Sequence, residues 1–188
     1  MKQHKYRSYK QYVTTQKKGY KKKRDRVWAR ESNIEFLSGL LKGAKTGICH
    51  GVRTGAEVEW FRKYLGADVI GTEIGTSKKG LIVQWDFNKP NPEWIGKFDF
   101  VYSNSFDHAY DAAATLCTWI QQLKPGGKLV IEHSRKHEQI TKLDPFGATP
   151  DEVVGLMESV GLMDVTVHDM PCLLSYDRYV VGIIGVNG

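Results

Sequence analysis

Glu73 and Asp86 each close a short apolar run, ADVIGTE and GLIVQW, and a glycine turn, Gly51-Val52-Arg53-Thr54-Gly55, precedes both. A carboxylate at a strand end can accept hydrogen bonds from both hydroxyls of a ribose. Asp86 can accept from the amino group of an adenine, with Trp85 or Phe87 covering the ring. Taken singly, each is also an ordinary strand-end or turn acid. Taken together, on successive strands, they describe a pocket for an adenosine that carries no phosphate. The glycines lack side chains and let backbone come close to such a ligand. A third group, Ser103, Asn104, Ser105, Asp107 and His108, ends and follows the run KFDFVYSN. It includes an imidazole, the side chain that ordinarily titrates nearest neutrality.

Other chemistries fit poorly. The spacing from Gly51 to Gly55 is not the G-x-G-x-x-G of a dinucleotide site, which disfavours nicotinamide redox chemistry, and no Gly-Lys-Ser/Thr closes a phosphate loop. His133, His137 and His168 form no recognisable ligand spacing, so no metal is expected. Cys49, Cys117 and Cys172 are odd in number and far apart, which suits neither a zinc knuckle nor a disulfide framework and makes a reducing cytoplasm the expected location. No run approaches the roughly 20 apolar residues of a membrane span.

These groups need a scaffold that sets strand ends side by side. From residue 44 the chain alternates strand and helix: strands at 44–49, 67–73, 80–85, 97–104 and 127–133, helices at 55–65, 110–123 and 149–160. MDVTVHDM and RYVVGIIGV follow, joined by a loop too short for a crossover helix, so they should pair antiparallel. The pattern predicts an α/β, Rossmann-like three-layer sandwich whose seven-stranded, mainly parallel sheet ends in an antiparallel hairpin. In such sheets ligands lie beyond the carboxyl ends of the strands. Val27, Ile34, Leu37 and Leu41 predict a flanking helix within residues 26–43, and Thr149, Pro150 and Glu152 form a helix-start signature.

Charge divides the chain. Residues 1–30 carry twelve Lys or Arg against one acid, Asp25, whereas the formal charge of the whole is +6. Residues 1–25 therefore read as a basic arm and 26–188 as the main domain. Tyr6, Tyr9, Tyr12 and Tyr20 are interleaved with the lysines. Aromatics among cations can stack on nucleic-acid bases or anchor the arm on its own domain, and both readings stand. RNA or another polyanion is a candidate partner, and no membrane association is expected.

The motifs, in this order, resemble those of class I S-adenosylmethionine-dependent methyltransferases of the small stand-alone, type-11-like kind. ICHGVRTGAE is similar to the glycine-rich first motif, QWDF to the adenine segment, FDFVYSNSFDHAYD to the fourth motif and LKPGGKLVIEH to the turn and strand after it. The resemblance spans about residues 44–135 by motif and the rest by strand order. It implies S-adenosyl-L-methionine as cofactor. Cys49, His50, Gly51, Arg53 and Gly55 would border its methionine part. Glu73, with Ile74 beside it, would hold the ribose, Asp86 and Phe87 the adenine, and Ser103 and Asn104 would approach the reacting centre. It implies methyl transfer to an unidentified acceptor by in-line displacement, a reaction in which positioning carries much of the rate. His108 is the candidate base and Asp107, its neighbour in sequence, the second candidate catalytic residue.

Two departures stand out. The family usually places an acid where this chain has Cys49 and a glycine where it has Arg53. Arg53 could grip the cofactor carboxylate through its planar fork, or it could pair with Glu57 four positions on. The departures leave open a second reading, a non-catalytic sensor or scaffold that binds the cofactor and offers its basic arm to a polyanion. No inserted substrate domain separates the fifth and sixth strands. Acceptor recognition therefore falls to the loop around Asp144 to Phe146, the segment after Asn104 and the N-terminal region.

Overall fold

A computed structural model describes residues 1–172 and 180–188. In chain order the elements are β1 (Lys2–Gln3), α1 (Tyr9–Lys23), α2 (Glu31–Leu40), β2 (Thr46–His50), α3 (Ala56–Leu65), β3 (Asp68–Glu73) and β4 (Ile82–Gln84). They continue with β5 (Phe98–Ser103), α4 (Ala112–Ile120), β6 (Leu123–Ser134), β7 (Phe146–Gly147), α5 (Pro150–Ser159), β8 (Leu162–Asp169) and β9 (Val180–Asn187).

Seven strands form one sheet in the order β4-β3-β2-β5-β6-β9-β8. The first five are parallel, while β9 runs antiparallel to both β6 and β8. The central strands are buried on both faces and are accordingly apolar on both. Along β5, Phe100 and Tyr102 join a core with Ile34, Leu37 and Phe61 from α2 and α3. Val101, between them, faces the opposite core with Leu116, Trp119 and Met157 from α4 and α5. The predicted three layers and terminal hairpin are thus present. The flanking helix begins at Glu31 rather than Val27, whose side chain is exposed. Arg178 and Tyr179, expected to open the last strand, lie outside the described residues.

The chain leaves β2 outward to β3 and β4, then returns to pair β5 with the other edge of β2. That reversal opens a crevice at the carboxyl ends of β2 and β5. The arm folds over it. Ser8 caps α1 by accepting from the Gln11 amide at 3.2 Å, and Lys21, Lys22 and Lys23 lie in its last turn, where cations offset the helix dipole. Tyr12 and Gln16 are buried on its inner face. Tyr6, Tyr9 and Tyr12 gather round Tyr110 with ring centroids 4.8–6.2 Å from it. β1 pairs antiparallel with β7, Gln3 opposite Phe146.

Candidate active site

A narrow crevice of about 570 Å³, counted out to its mouth, is walled on the sheet side by Gly51, Arg53, Glu73, Ile74, Asp86, Phe87, Ser105 and His108. Its other wall is the arm: Tyr12, Gln16, Gly19, Tyr20 and Lys23. Gly51, at φ 75°, lets the backbone turn beneath Ser105, whose Cβ lies 2.7 Å from where a Gly51 Cβ would stand. A Cβ on Gly75 would collide with the Tyr20 ring, so that glycine makes the seat for the arm.

Glu73 is buried at the tip of β3. It accepts from the Arg53 amide at 3.0 Å and the Gly75 amide at 3.2 Å. Burial raises its carboxyl, while the Gly75 amide and the Arg53 guanidinium pull it back down. Asp86 accepts from the Asn88 amide and side chain at 3.1 and 2.8 Å and from the Tyr9 hydroxyl at 2.7 Å. Phe87 packs edge-on against Trp119 at 5.3 Å.

Arg53 stands in the left-handed region at φ 43°, where a glycine would be at ease. The residue lines the crevice and a second cavity alike. Nη1 donates to the Arg26 carbonyl at 3.3 Å, and Nε is buried without a hydrogen-bond partner. The alternative pairing with Glu57 is not formed: among the described residues no carboxylate lies within 4.0 Å of the Arg53 guanidinium. Glu57 turns inward instead, and burial pushes its carboxyl up to about 8.

The second cavity holds about 920 Å³ out to its mouth and shares Lys23, Arg53, Ser105 and His108 with the first. Asn104, Asp107, Glu132, His133, Asp144 and Trp28 add to its lining. Burial pushes Glu132 up to about 7 and His133 down to about 3. His108 sits at the junction. Its Nδ1 lies 2.9 Å from Gln16 Oε1, and its Nε2 lies 3.5 Å from Asp144 and 4.0 Å from Asp107. Asp107 is buried and its Oδ1 has no hydrogen-bond partner. Asp107, His108 and Asp144 bring ligand-competent atoms within 4.8 Å of one another, a grouping that the spacing of the other histidines did not disclose.

Four expected cofactor residues stand elsewhere. Cys49 is fully buried in the α2–α3 core, between its strand neighbours Gly71 and Tyr102, because its position on β2 points it into that layer. His50 points into the opposite core. It stacks on Trp119 at 4.9 Å, meets Thr72 and Gln122 through its two nitrogens, and is pushed down to about 3 by burial. Gly55 caps α3 and packs against Leu81. Ser103 is buried beneath the site, donating to the His50 carbonyl at 3.1 Å and accepting from the Ser105 amide at 3.0 Å. Of the two readings left open for the arm's tyrosines, Tyr9 and Tyr12 follow the anchoring one, packing on Tyr110; Gln16, at helical spacing from them, was not singled out.

No protein-family model and no curated protein matches the chain by sequence. Solved structures do match. The Burkholderia thailandensis 1,6-didemethyltoxoflavin-N1-methyltransferase, with 1,6-didemethyltoxoflavin and S-adenosylhomocysteine bound, superposes with a TM-score of 0.76 over 97% of this chain and 92% of its own, at 14% identity. A Thermotoga maritima S-adenosylmethionine-dependent methyltransferase gives 0.62 over 96% and 95%, at 17% identity. A Haloferax volcanii protein in complex with the methyltransferase activator Trm112 gives 0.66 over 97% and 99%, at 18% identity. The likeness is one of fold: this chain is built as class I S-adenosylmethionine-dependent methyltransferases are built.

Proposed function

We propose that the chain is a methyltransferase that binds S-adenosyl-L-methionine in the crevice beneath the arm and a polar acceptor in the second cavity. The observation that carries this is Arg53, whose buried Nε lacks an acceptor at the junction of the two spaces. A carboxylate of an amino-acid moiety would complete it with a charge-assisted hydrogen bond. Glu73 holds the ribose hydroxyls, Asp86 takes the adenine amino group in place of Tyr9, and Phe87 and Ile74 cover the ring. Bound there, the cofactor supplies a methyl group on an electrophilic sulfonium. The chain's part is to exclude water, align the acceptor and receive its proton. His108 Nε2 accepts that proton, and Asp107 and Asp144 stabilise the imidazolium so formed.

The second cavity is rich in charged and polar groups, which supports a small polar acceptor. The 1,6-didemethyltoxoflavin bound in the Burkholderia structure supports a small-molecule acceptor. Lys10, Lys17, Lys18, Lys21 and Lys22 are exposed on the outer side of α1 and, among the described residues, have no acid within 4.0 Å, which supports docking of a polyanion on the arm. No helix among the described residues is long and apolar enough to cross a membrane. Calorimetry with S-adenosylhomocysteine, then an acceptor screen with methyl-labelled cofactor, tests the reading. Failure to bind S-adenosylhomocysteine would refute it, whereas binding without transfer to any acceptor would favour the sensor reading.

A further inference from the structure

Gln16, on the buried face of the arm helix, touches the site at two points. Its Nε2 donates to the Leu143 carbonyl at 2.8 Å, and its Oε1 lies 2.9 Å from His108 Nδ1. A carbonyl oxygen can only accept, so the amide nitrogen must face Leu143. The amide oxygen therefore faces His108, and it too can only accept. The proton of a neutral His108 must then sit on Nδ1. Reversing the amide would set two oxygens against each other at Leu143, so the contact there fixes its orientation.

From this we infer that Gln16 is a positioning residue: it locks His108 in the Nδ1–H form and so leaves the Nε2 lone pair free at the junction of the two cavities. An isolated imidazole carries no such lock, and with the proton on Nε2 it could not take another there. Nε2 is 3.5 Å from Asp144 and 4.0 Å from Asp107, too far for either to occupy it by hydrogen bonding and near enough to favour a positive charge once it is protonated. The neighbouring arm residue Tyr12 reinforces the arrangement. Its hydroxyl donates to the His108 carbonyl at 3.0 Å and accepts from Asn88 at 2.7 Å, so α1 grips both the ring and the backbone of His108. Gln16 also fixes Leu143, the residue before Asp144. One amide thus ties together the arm, the base and the carboxylate that would steady it. His108 becomes a competent base only while the arm is down, which confines proton uptake to the covered site.

This inference rests on the proposed role of His108, but its first test needs no acceptor. Long-range ¹H–¹⁵N spectra of histidine-labelled full-length protein distinguish the two tautomers, and His108 is assigned by comparison with His108→Gln. Wild type should show the Nδ1–H form, with Nε2 at the shift of an unprotonated ring nitrogen. Gln16→Leu should shift the population toward Nε2–H, and Gln16→Glu, which keeps an accepting oxygen, should retain Nδ1–H. An Nε2–H signal in wild type would overturn the inference, as would an unchanged spectrum in Gln16→Leu. Once an acceptor is in hand, Gln16→Leu should lower kcat at least about tenfold, with the KM for S-adenosylmethionine changed less than threefold and substantial rescue in Gln16→Glu. Loss confined to KM would also overturn it. A protein that shows the lock yet fails to bind S-adenosylhomocysteine would refute the methyltransferase reading and leave the tautomer assignment intact.

Discussion

The Tyr9 hydroxyl donates to Asp86 Oδ2 across 2.7 Å, so the acid proposed to read adenine is already engaged by the chain's own arm. A ligand must displace that donor. Tyr9→Phe leaves the ring packing and removes the competitor. S-Adenosylhomocysteine should bind about fivefold more tightly to the variant, the equivalent of about 1 kcal/mol for one hydrogen bond. Titration calorimetry reads this directly, and weaker binding would mean that Tyr9 clamps the ligand rather than competing with it.

Arg53→Ala should weaken S-adenosylhomocysteine binding by about 1.5–3 kcal/mol, the cost of losing one charge-assisted hydrogen bond. 5′-Methylthioadenosine, which has no carboxylate, should bind wild type and variant alike. If both ligands lose equal affinity, Arg53 shapes the turn and does not hold the carboxylate.

Glu57 is buried with one carboxyl oxygen unpartnered, and burial raises it to about 8 from an ordinary value of 4.5. The folded chain keeps a proton there that the unfolded chain releases. Stability should therefore be highest at the acid end of that interval, decline as pH rises from about 4.5 to about 8, and level off above. Glu57→Gln should flatten the decline and gain on the order of 2 kcal/mol over wild type at pH 8.5. Denaturant melts at several pH values measure it, and parallel curves for the two proteins would contradict the assignment.

His50 works in the opposite sense. Its imidazole, stacked on Trp119, is pushed down to about 3 from 6.5 by burial, against the opposing pull of the Gln122 hydrogen bond. The unfolded chain takes up a proton that the folded chain refuses, so stability present above pH 6.5 is lost as pH falls toward 3. His50→Gln should lessen the slope of melting temperature against pH between 4 and 6.5, whatever it costs in packing at neutral pH.

The sheet was readable because parallel strands buried on both faces must be apolar, and Ile48, Val101 and Ile131 carry that mark in the sequence. Glu73 and Asp86 were readable because each ends such a run. Cys49 and His50 misled because motif position locates a residue along a strand, whereas the side-chain direction at a strand end depends on which layer it meets. Arg53 was legible as an oddity but not as a bridge between two cavities. Gln16 and Asp144 could not be paired with His108 from sequence, since they lie 92 and 36 positions from it along the chain and only the fold brings them together. The arm's tyrosines allowed two readings, stacking on bases or anchoring, because a helix so rich in lysine also suits a solvated arm; only the ring of Tyr110 among them decides for anchoring.

The small pairing of β1 with β7 bears on traffic through the site. It ties the front of α1 to the rim, while the back of α1 runs on into α2 and the core. The helix is thus a strap buckled at both ends, not a flap on one hinge. Under the proposed function, admission of the nucleoside would come by bowing α1 between those two ties, with the contacts of Tyr9, Gln16 and Tyr20 released. A segment tied at both ends has few other places to settle, so under the proposed function the surroundings of His108 would be restored as α1 closes.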